Sequence, residues 1–276
     1  MTFLGARSTT PPAVVLAGVP YDATSTFRSG SRQAPAAIRW ASQSIEAYSP
    51  ILGRDLADVF FADLGDVEVA NLRPDQMVDA VRALVGQIAP ASLPLLLGGE
   101  HTIVLGAVQA LHRTHPDLAV VQIDAHTDLR EEYEGQRLSH ATVARRILDV
   151  LAPQSLVQLG IRAGTREEFE LAGRLRHSAA RIDVPGPTWA WLEQQPVHLS
   201  IDIDAIDPAD APGTGNPEPA GIPAGELLAF VRRLGSLRVV GLDVVEVSPP
   251  YDPSGRTAVL AATIVREAIL ALKGTA

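Results

Sequence analysis

Seven short apolar runs are spaced along the chain with helical stretches between them, and this alternation restricts the fold more than any other feature. The runs are Ala13–Val19, Val59–Leu64, Leu93–Leu97, Leu118–Asp124, Leu156–Ile161, Val197–Ile203 and Leu237–Val247. They are rich in Val, Leu and Ile and mostly lack polar alternation, as strands covered on both faces do. Helical spacing predicts Pro35–Tyr48, Pro74–Ile88, Thr102–His115, Ala141–Leu151, Arg166–Arg176, Pro223–Leu234 and Thr257–Leu272, with Thr102 as an N-cap and Pro223 in a first turn. Strands separated by helices of about 10–15 residues are βαβ units of a parallel sheet. The 276 residues show no linker and no internal repeat, so one α/β domain over 1–276 is expected.

The residue inventory narrows the chemistry. Cysteine is absent, which removes thiol nucleophiles, disulfides and thiolate metal sites. The only lysine is Lys273, near the C-terminus, so neither a Walker A loop nor a buried Schiff-base lysine fits. The charge sum, 23 basic minus 32 acidic residues, is −9, a poor match to a phosphate backbone, and no nucleic-acid partner is expected. No apolar run approaches 18 residues, and no basic region precedes an apolar stretch at the N-terminus. The expectation is a cytoplasmic protein without a membrane partner.

Polar residues of metal-ligand type stand at the ends of four of the apolar runs. In open parallel sheets, ligands bind beyond the carboxyl ends of the strands. Leu97-Gly98-Gly99-Glu100-His101-Thr102 runs from a strand through two glycines to an acid and a histidine at a helix start, a pattern that alone also suits a capping or solvated histidine. Asp124-Ala125-His126-Thr127-Asp128 places three ligand types two apart, so an extended chain would converge them on one point. Without a cation, such carboxylates would repel and one would take up a proton. Asp202 and Asp204 repeat the spacing among apolar residues, where burial without a compensating charge is costly, whereas Asp207 before a proline reads as a turn residue. Asp243 and Glu246 punctuate the last run and, taken singly, also suit caps or turns. Two histidines and four aspartates exceed the needs of one zinc and suit two hard divalent ions, with Mn²⁺ favoured where imidazole and carboxylate mix. Such a pair suggests two-metal hydrolysis without naming a substrate. The loop Asp207–Gly225 is crowded with Pro and Gly, a pre-set shape suited to a wall of a site or to a rigid surface loop. The other histidines read as structural: His112 and His115 near a helix end that favours imidazolium, His177 ending a helical stretch, His198 within a strand.

The chain resembles the ureohydrolases, the arginase–agmatinase family, and within it the agmatinases. The matching segments are GGEHT at 98–102, DAHTD at 124–128, SIDIDAIDP at 200–208 and GLDVVEVSP at 241–249, with GVPYDATSTFRSGSRQAPAAIR at 18–39 as the N-terminal piece. The resemblance implies a three-layer α/β/α sandwich with a central parallel sheet of about eight strands and two Mn²⁺ per chain. It assigns His101, Asp124, Asp128 and Asp202 to one ion and Asp124, His126, Asp202 and Asp204 to the other, with a hydroxide bridging the two metals as nucleophile. It further implies that Glu246 grips the guanidinium, that Asp128 carries a proton to the leaving amine, and that His140 exchanges protons with solvent. Homo-trimers or homo-hexamers are usual in the family.

The implied reaction is hydrolysis of the guanidinium group of agmatine to putrescine and urea. Residues 129–140, LREEYEGQRLSH, and 160–169, GIRAGTREEF, look like agmatinases; arginases carry asparagines and small hydroxyl residues in the former segment to hold an amino acid's carboxylate. Glu131, Glu132 and Glu134 could attract a cationic amine, although at least two of them read better as a solvated charge run. The chain departs from the family at Asn216, usually threonine and beside the guanidinium in relatives, and at Ala141, often glycine. Alternatives are another guanidino substrate (aminopropylagmatine, guanidinobutyrate or arginine) or a non-catalytic metal-binding subunit on the same fold, which loss of a ligand or of Glu246 would favour; neither is missing.

Overall fold

The computed structural model describes residues 1–7 and 11–272. Eight parallel strands form the sheet: β1 Val14–Val19, β2 Phe61–Asp66, β3 Leu93–Gly98, β4 Ala119–Ile123, β5 Leu156–Leu159, β6 His177–Ala179, β7 Pro196–Asp202 and β8 Arg238–Val245. Their order across the sheet is β2-β1-β3-β8-β7-β4-β5-β6. The helices are α1 Ala34–Ser42, α2 Pro74–Gln87, α3 Ile103–Thr114, α4 Val143–Ile147, α5 Arg166–Ala172, α6 Gly186–Leu192, α7 Ala224–Arg232 and α8 Arg256–Leu272. The expected three-layer α/β/α sandwich with an eight-stranded parallel sheet is what the chain forms.

The layering follows from strand periodicity. Val14 and Leu16 of β1, Leu93, Leu95 and Leu97 of β3, and Val121 and Ile123 of β4 face the layer of α1, α7 and α8. Ala17, Val19, Leu96 and Val120, one residue out of phase, face α2, α3 and α4. Both faces of the sheet are therefore dry, and the strands read as continuous apolar runs for that reason. Polar side chains inside these strands need a buried partner, as Gln122 and Gln158 or His198 and Asp243 have in each other, and are less costly beyond the strand ends. The central strands β3, β8, β7 and β4 are neighbours, and each ends in one of the four polar segments read from the sequence.

Several boundaries depart from the sequence expectation. The helix expected over 35–48 stops at Ser42, and Tyr48–Ser49 instead pairs antiparallel with Arg54–Asp55. The stretch 141–151 splits into a 3₁₀ turn at His140–Thr142 followed by α4. Thr165 caps α5 reciprocally with Glu168, and α5 ends at Ala172, so His177 opens β6 rather than closing a helix. The short α6 is not among the expected helices; Trp189, Trp191 and the buried Leu192 pack it on the core, with Trp189 edge-on to Phe230. Thr102 stands at the N-cap position of α3, but its side chain caps nothing: its backbone is helical and its hydroxyl donates to Glu100. Pro223 stands at the N-cap position, just before the first turn of α7. His115 closes α3, but burial and the nearby Arg238 hold its pKa below the ordinary value rather than favouring imidazolium.

A buried ion pair ties α1 to β2. Arg39 grips Asp63 with two bonds, Nε to Oδ2 at 2.8 Å and Nη2 to Oδ1 at 2.9 Å. Burial raises the Asp63 pKa, but Arg39 and the Phe3 and Gly65 amides outweigh it and hold the carboxyl below its ordinary range. A depressed carboxyl pKa contributes stability that is present above the unfolded value and lost as pH falls through the folded one. Arg39 also donates to Asp66 and to the Gly65 carbonyl, so Asp63→Asn is expected to cost about 1–3 kcal/mol at pH 7, the loss of charge-assisted bonds rather than of the guanidinium's only partner. Urea denaturation as a function of pH should show the gap to wild type narrowing below about pH 4; a gap independent of pH would refute the ion-pair account.

Candidate metal centre and active site

His101 follows β3 in the Gly-Gly turn. Gly99 is required there, since a Cβ would collide with the Tyr21 carbonyl of the loop after β1. His101 Nδ1 lies 3.1 Å from Asp124 Oδ2, 3.1 Å from Asp128 Oδ2 and 3.4 Å from Asp202 Oδ2. Across the cluster, His126 Nδ1 lies 2.9 Å from Asp204 Oδ2 and 3.7 Å from Asp124 Oδ1. Two groups of ligand atoms result, His101–Asp124–Asp128 and Asp124–His126–Asp204, each with all its atoms within 4.8 Å of one another. Asp124 is common to both. Asp202 belongs to neither of these tightest groups, although its Oδ2 faces His101 and its Oδ1 accepts from the Asp204 amide at 2.8 Å.

The convergence arises differently from the pleat alternation assumed for the sequence. β4 stops at Ile123, and Asp128 has φ +51°. β7 stops at Asp202, and Asp204 sits in a 3₁₀ turn. Glu246, just past β8, has φ +63°. Non-glycine residues in this left-handed region are strained, and two of the four described here are site residues. Surrounding bonds hold the shape. Gln122, whose side chain accepts from Gln158 in the adjacent strand, donates to Asp124 Oδ2 at 2.7 Å. Glu168 accepts from the Thr127 hydroxyl and the Leu129 amide on either side of Asp128.

The donor set fits divalent cations. The Ser200 hydroxyl donates to Asp243 Oδ1 at 2.6 Å, so its oxygen accepts from His101 Nε2 at 2.9 Å. A neutral His101 then carries its lone pair on Nδ1, a fully buried atom with no hydrogen bond that faces three carboxylates. Burial opposes charge on both histidines, yet Asp124, Asp128 and Asp202 push the His101 pKa well up, and Asp204 and Asp124 do the same for His126. Burial and Asp124 push Asp128 up to about 7, and burial with Asp204 raises Asp202 well above the carboxylate range. This cluster draws positive charge onto whatever can carry it.

A cavity of about 400 Å³ opens over the cluster. Glu246, His140 and Asn216 line it with the ligand-type residues, so every sequence-predicted site residue except the fully buried Asp124 reaches its wall. Glu246 Oε1 accepts from the His101 amide at 2.9 Å, and burial followed by Glu100 raises its pKa well above the ordinary value. The Pro/Gly loop forms one wall through Asn216, Pro217 and Glu218. Arg162 fixes that loop by donating to the carbonyls of Gly160, Asp204, Ala205, Glu218 and Pro219. Asp207 is a turn residue, accepting from the Ala209 and Gly221 amides.

The arrangement matches known proteins over nearly its whole length. The Arginase family model covers residues 12–271. The chain belongs to the arginase family. It is 42% identical to the agmatinase of Bacillus anthracis over 93% of this chain and 91% of that protein. It is 35% identical to the guanidinobutyrase of Pseudomonas aeruginosa over 93% of this chain and 85% of that protein. The structure of the agmatine ureohydrolase of Thermoplasma volcanium superposes with a TM-score of 0.88 at 36% identity, covering 98% of this chain and 94% of that one. The expected place among the ureohydrolases, on their agmatinase side, is thereby borne out.

Sequence reading missed several residues that shape this family member's cavity. Glu131 pairs with Arg137, Arg145 and Arg146 on the surface, and neither Glu132 nor Glu134 reaches the metal cavity, so that run is a solvated one. Arg130 and Glu218 do reach it. Asp243 is a buried partner of His198 and Ser200 rather than a cavity residue. The GIRAG and PEP segments held the signal for Arg162 and Glu218, but their bonds join positions more than 40 residues apart. Among the described residues no helix is long and apolar enough to cross a membrane.

Proposed function

We propose that this chain is a binuclear-manganese agmatinase, which hydrolyses agmatine to putrescine and urea. The observation that carries the reading is the meeting of two Asp/His groups that share Asp124 with a buried glutamate, in one cavity, on a chain 42% identical to a curated agmatinase. His101, Asp124, Asp128 and Asp202 would hold one ion, and Asp124, His126, Asp202 and Asp204 the other. When bound, the pair supplies Lewis acidity that makes hydroxide available from water near neutral pH.

The chain's own groups do the rest. Glu246 receives the guanidinium nitrogens, and the arriving cation draws the carboxyl back to its ionised form. Asp128 stands beside the reacting carbon, accepts a proton from the attacking water and passes it to the departing amine as its C–N bond breaks. His140, at the cavity wall, passes protons between that site and solvent. Glu218, half-buried on the loop wall with Oε1 3.6 Å from His126 Nε2, adds an acid to the cavity that suits a cationic substrate.

One observation favours a second reading. Arg130 lines the same cavity, and its nearest acid, Glu168 at 3.4 Å, is already bound by three other donors. That guanidinium, which also lies over the Tyr133 ring, puts a cation on the cavity wall that suits a guanidino acid such as guanidinobutyrate. Urea release from agmatine, aminopropylagmatine, guanidinobutyrate and arginine with Mn²⁺ decides the matter. Agmatine is expected to give the highest kcat/KM. A higher value for guanidinobutyrate would replace the agmatinase reading, and no urea from any of them would remove the ureohydrolase assignment.

A further inference from the structure

We propose that Thr24, held by the buried carboxylate of Glu100, sets the tautomer and orientation of His140 and is a positioning residue for proton transfer. The inference rests on the reading above, in which His140 exchanges protons with solvent. Thr24 lies in the loop after β1, 116 positions from His140. Glu100 is fully buried, and its Oε2 accepts from the Thr102 amide at 2.8 Å. Its Oε1 takes the Thr24 hydroxyl at 2.6 Å.

A hydroxyl has one proton to give. Thr24 gives it to Glu100, so its oxygen presents only lone pairs to His140. That oxygen accepts from the His140 backbone amide at 3.1 Å and faces the ring Nδ1 at 3.4 Å. A lone-pair oxygen beside Nδ1 favours the tautomer with hydrogen on Nδ1. Nε2, on the far side of the ring from Thr24, is left as the proton acceptor. Ser200 and Asp243 arrange His101 in the same way with the two nitrogens exchanged, which leaves His101 a ligand and His140 a base.

The ring needs this restraint. Tyr133 meets it edge-on, with centroids 5.9 Å apart at 89°, a contact that sets no tautomer. Thr24 lies outside both Asp/His groups and the metal cavity's lining, so its loss is expected to spare metal and substrate binding.

The test compares Thr24→Val, Thr24→Ser and His140→Asn in the Mn²⁺-loaded enzyme. One neutral hydrogen bond predicts a kcat about three- to tenfold lower for Thr24→Val. KM for agmatine and Mn²⁺ content should stay within about twofold of wild type, and added imidazole buffer should recover part of the lost rate. Thr24→Ser keeps the hydroxyl and is expected to restore kcat. An unchanged kcat in Thr24→Val, an equal loss in Thr24→Ser, or a loss explained by missing Mn²⁺ would each overturn the inference. His140→Asn separates the two levels: if it turns over like wild type, the proton role of His140 falls; if it loses turnover while Thr24→Val does not, only the role of Thr24 falls.

Discussion

Glu246→Gln is expected to cut urea release by roughly 30-fold to several thousand-fold while leaving about two Mn²⁺ per chain. Truncating the charge of one partner in a desolvated pair costs about 2–5 kcal/mol, and each 1.36 kcal/mol is tenfold in rate. The amide keeps the shape of the carboxyl, and its oxygen can still accept from the His101 amide, so the strained turn after β8 has no new reason to collapse. What it lacks is the charge that answers a guanidinium in a buried place. Burial and Glu100 together make the free carboxyl reluctant to ionise, so the energy of ionising it is recovered only when a cation arrives. A small neutral substrate would feel little of this. Turnover and Mn²⁺ content measured on the same sample check the assignment. Wild-type turnover would sink it, and loss of metal would move Glu246 from the substrate's side of the site to the ions'.

The sequence carried the sheet and the cluster for one shared reason. Strands buried on both faces are mostly apolar, an acid or histidine inside one needs a buried partner, as Asp243 and His198 have in each other, and four strand ends rich in such groups stand out along the chain. That logic pointed to Asp124, His126, Asp128, Asp202 and Asp204, whereas the family resemblance was needed to single out His101 and to choose Glu246 over Asp243. It misjudged how Asp128 and Asp204 turn inward, because a left-handed residue and a 3₁₀ turn leave no period-two signature. It missed β6, because three half-buried residues at the sheet edge carry no apolar run. The partners that orient the site were illegible for another reason. Thr24 and His140, Ser200 and His101, and Arg162 and the loop it braces meet only through the strand order, which places β3, β8, β7 and β4 side by side. Single residues of ordinary type at those separations give no local pattern to read.

Asp124→Asn is expected to have the widest effect of any change in the cluster. Its Oδ2 faces His101 and its Oδ1 faces His126, and among the described residues it alone belongs to both Asp/His groups. An asparagine has one oxygen and no charge, so it can serve one side at most. Loss of both ions rather than one follows, because each ion's remaining ligands are positioned partly through the other group. Mn²⁺ content should fall from about two per chain to below one, and turnover by roughly a thousandfold or more. A ligand that binds only the folded chain adds about 2.7 kcal/mol at a hundred times its Kd. The wild-type Tm should therefore rise on Mn²⁺ addition and that of the variant should not. The stability readout is independent of turnover, so it separates a damaged reaction from a missing metal. A variant that keeps two ions, its Tm response and its activity would show that Asp124 does not join the two halves of the site.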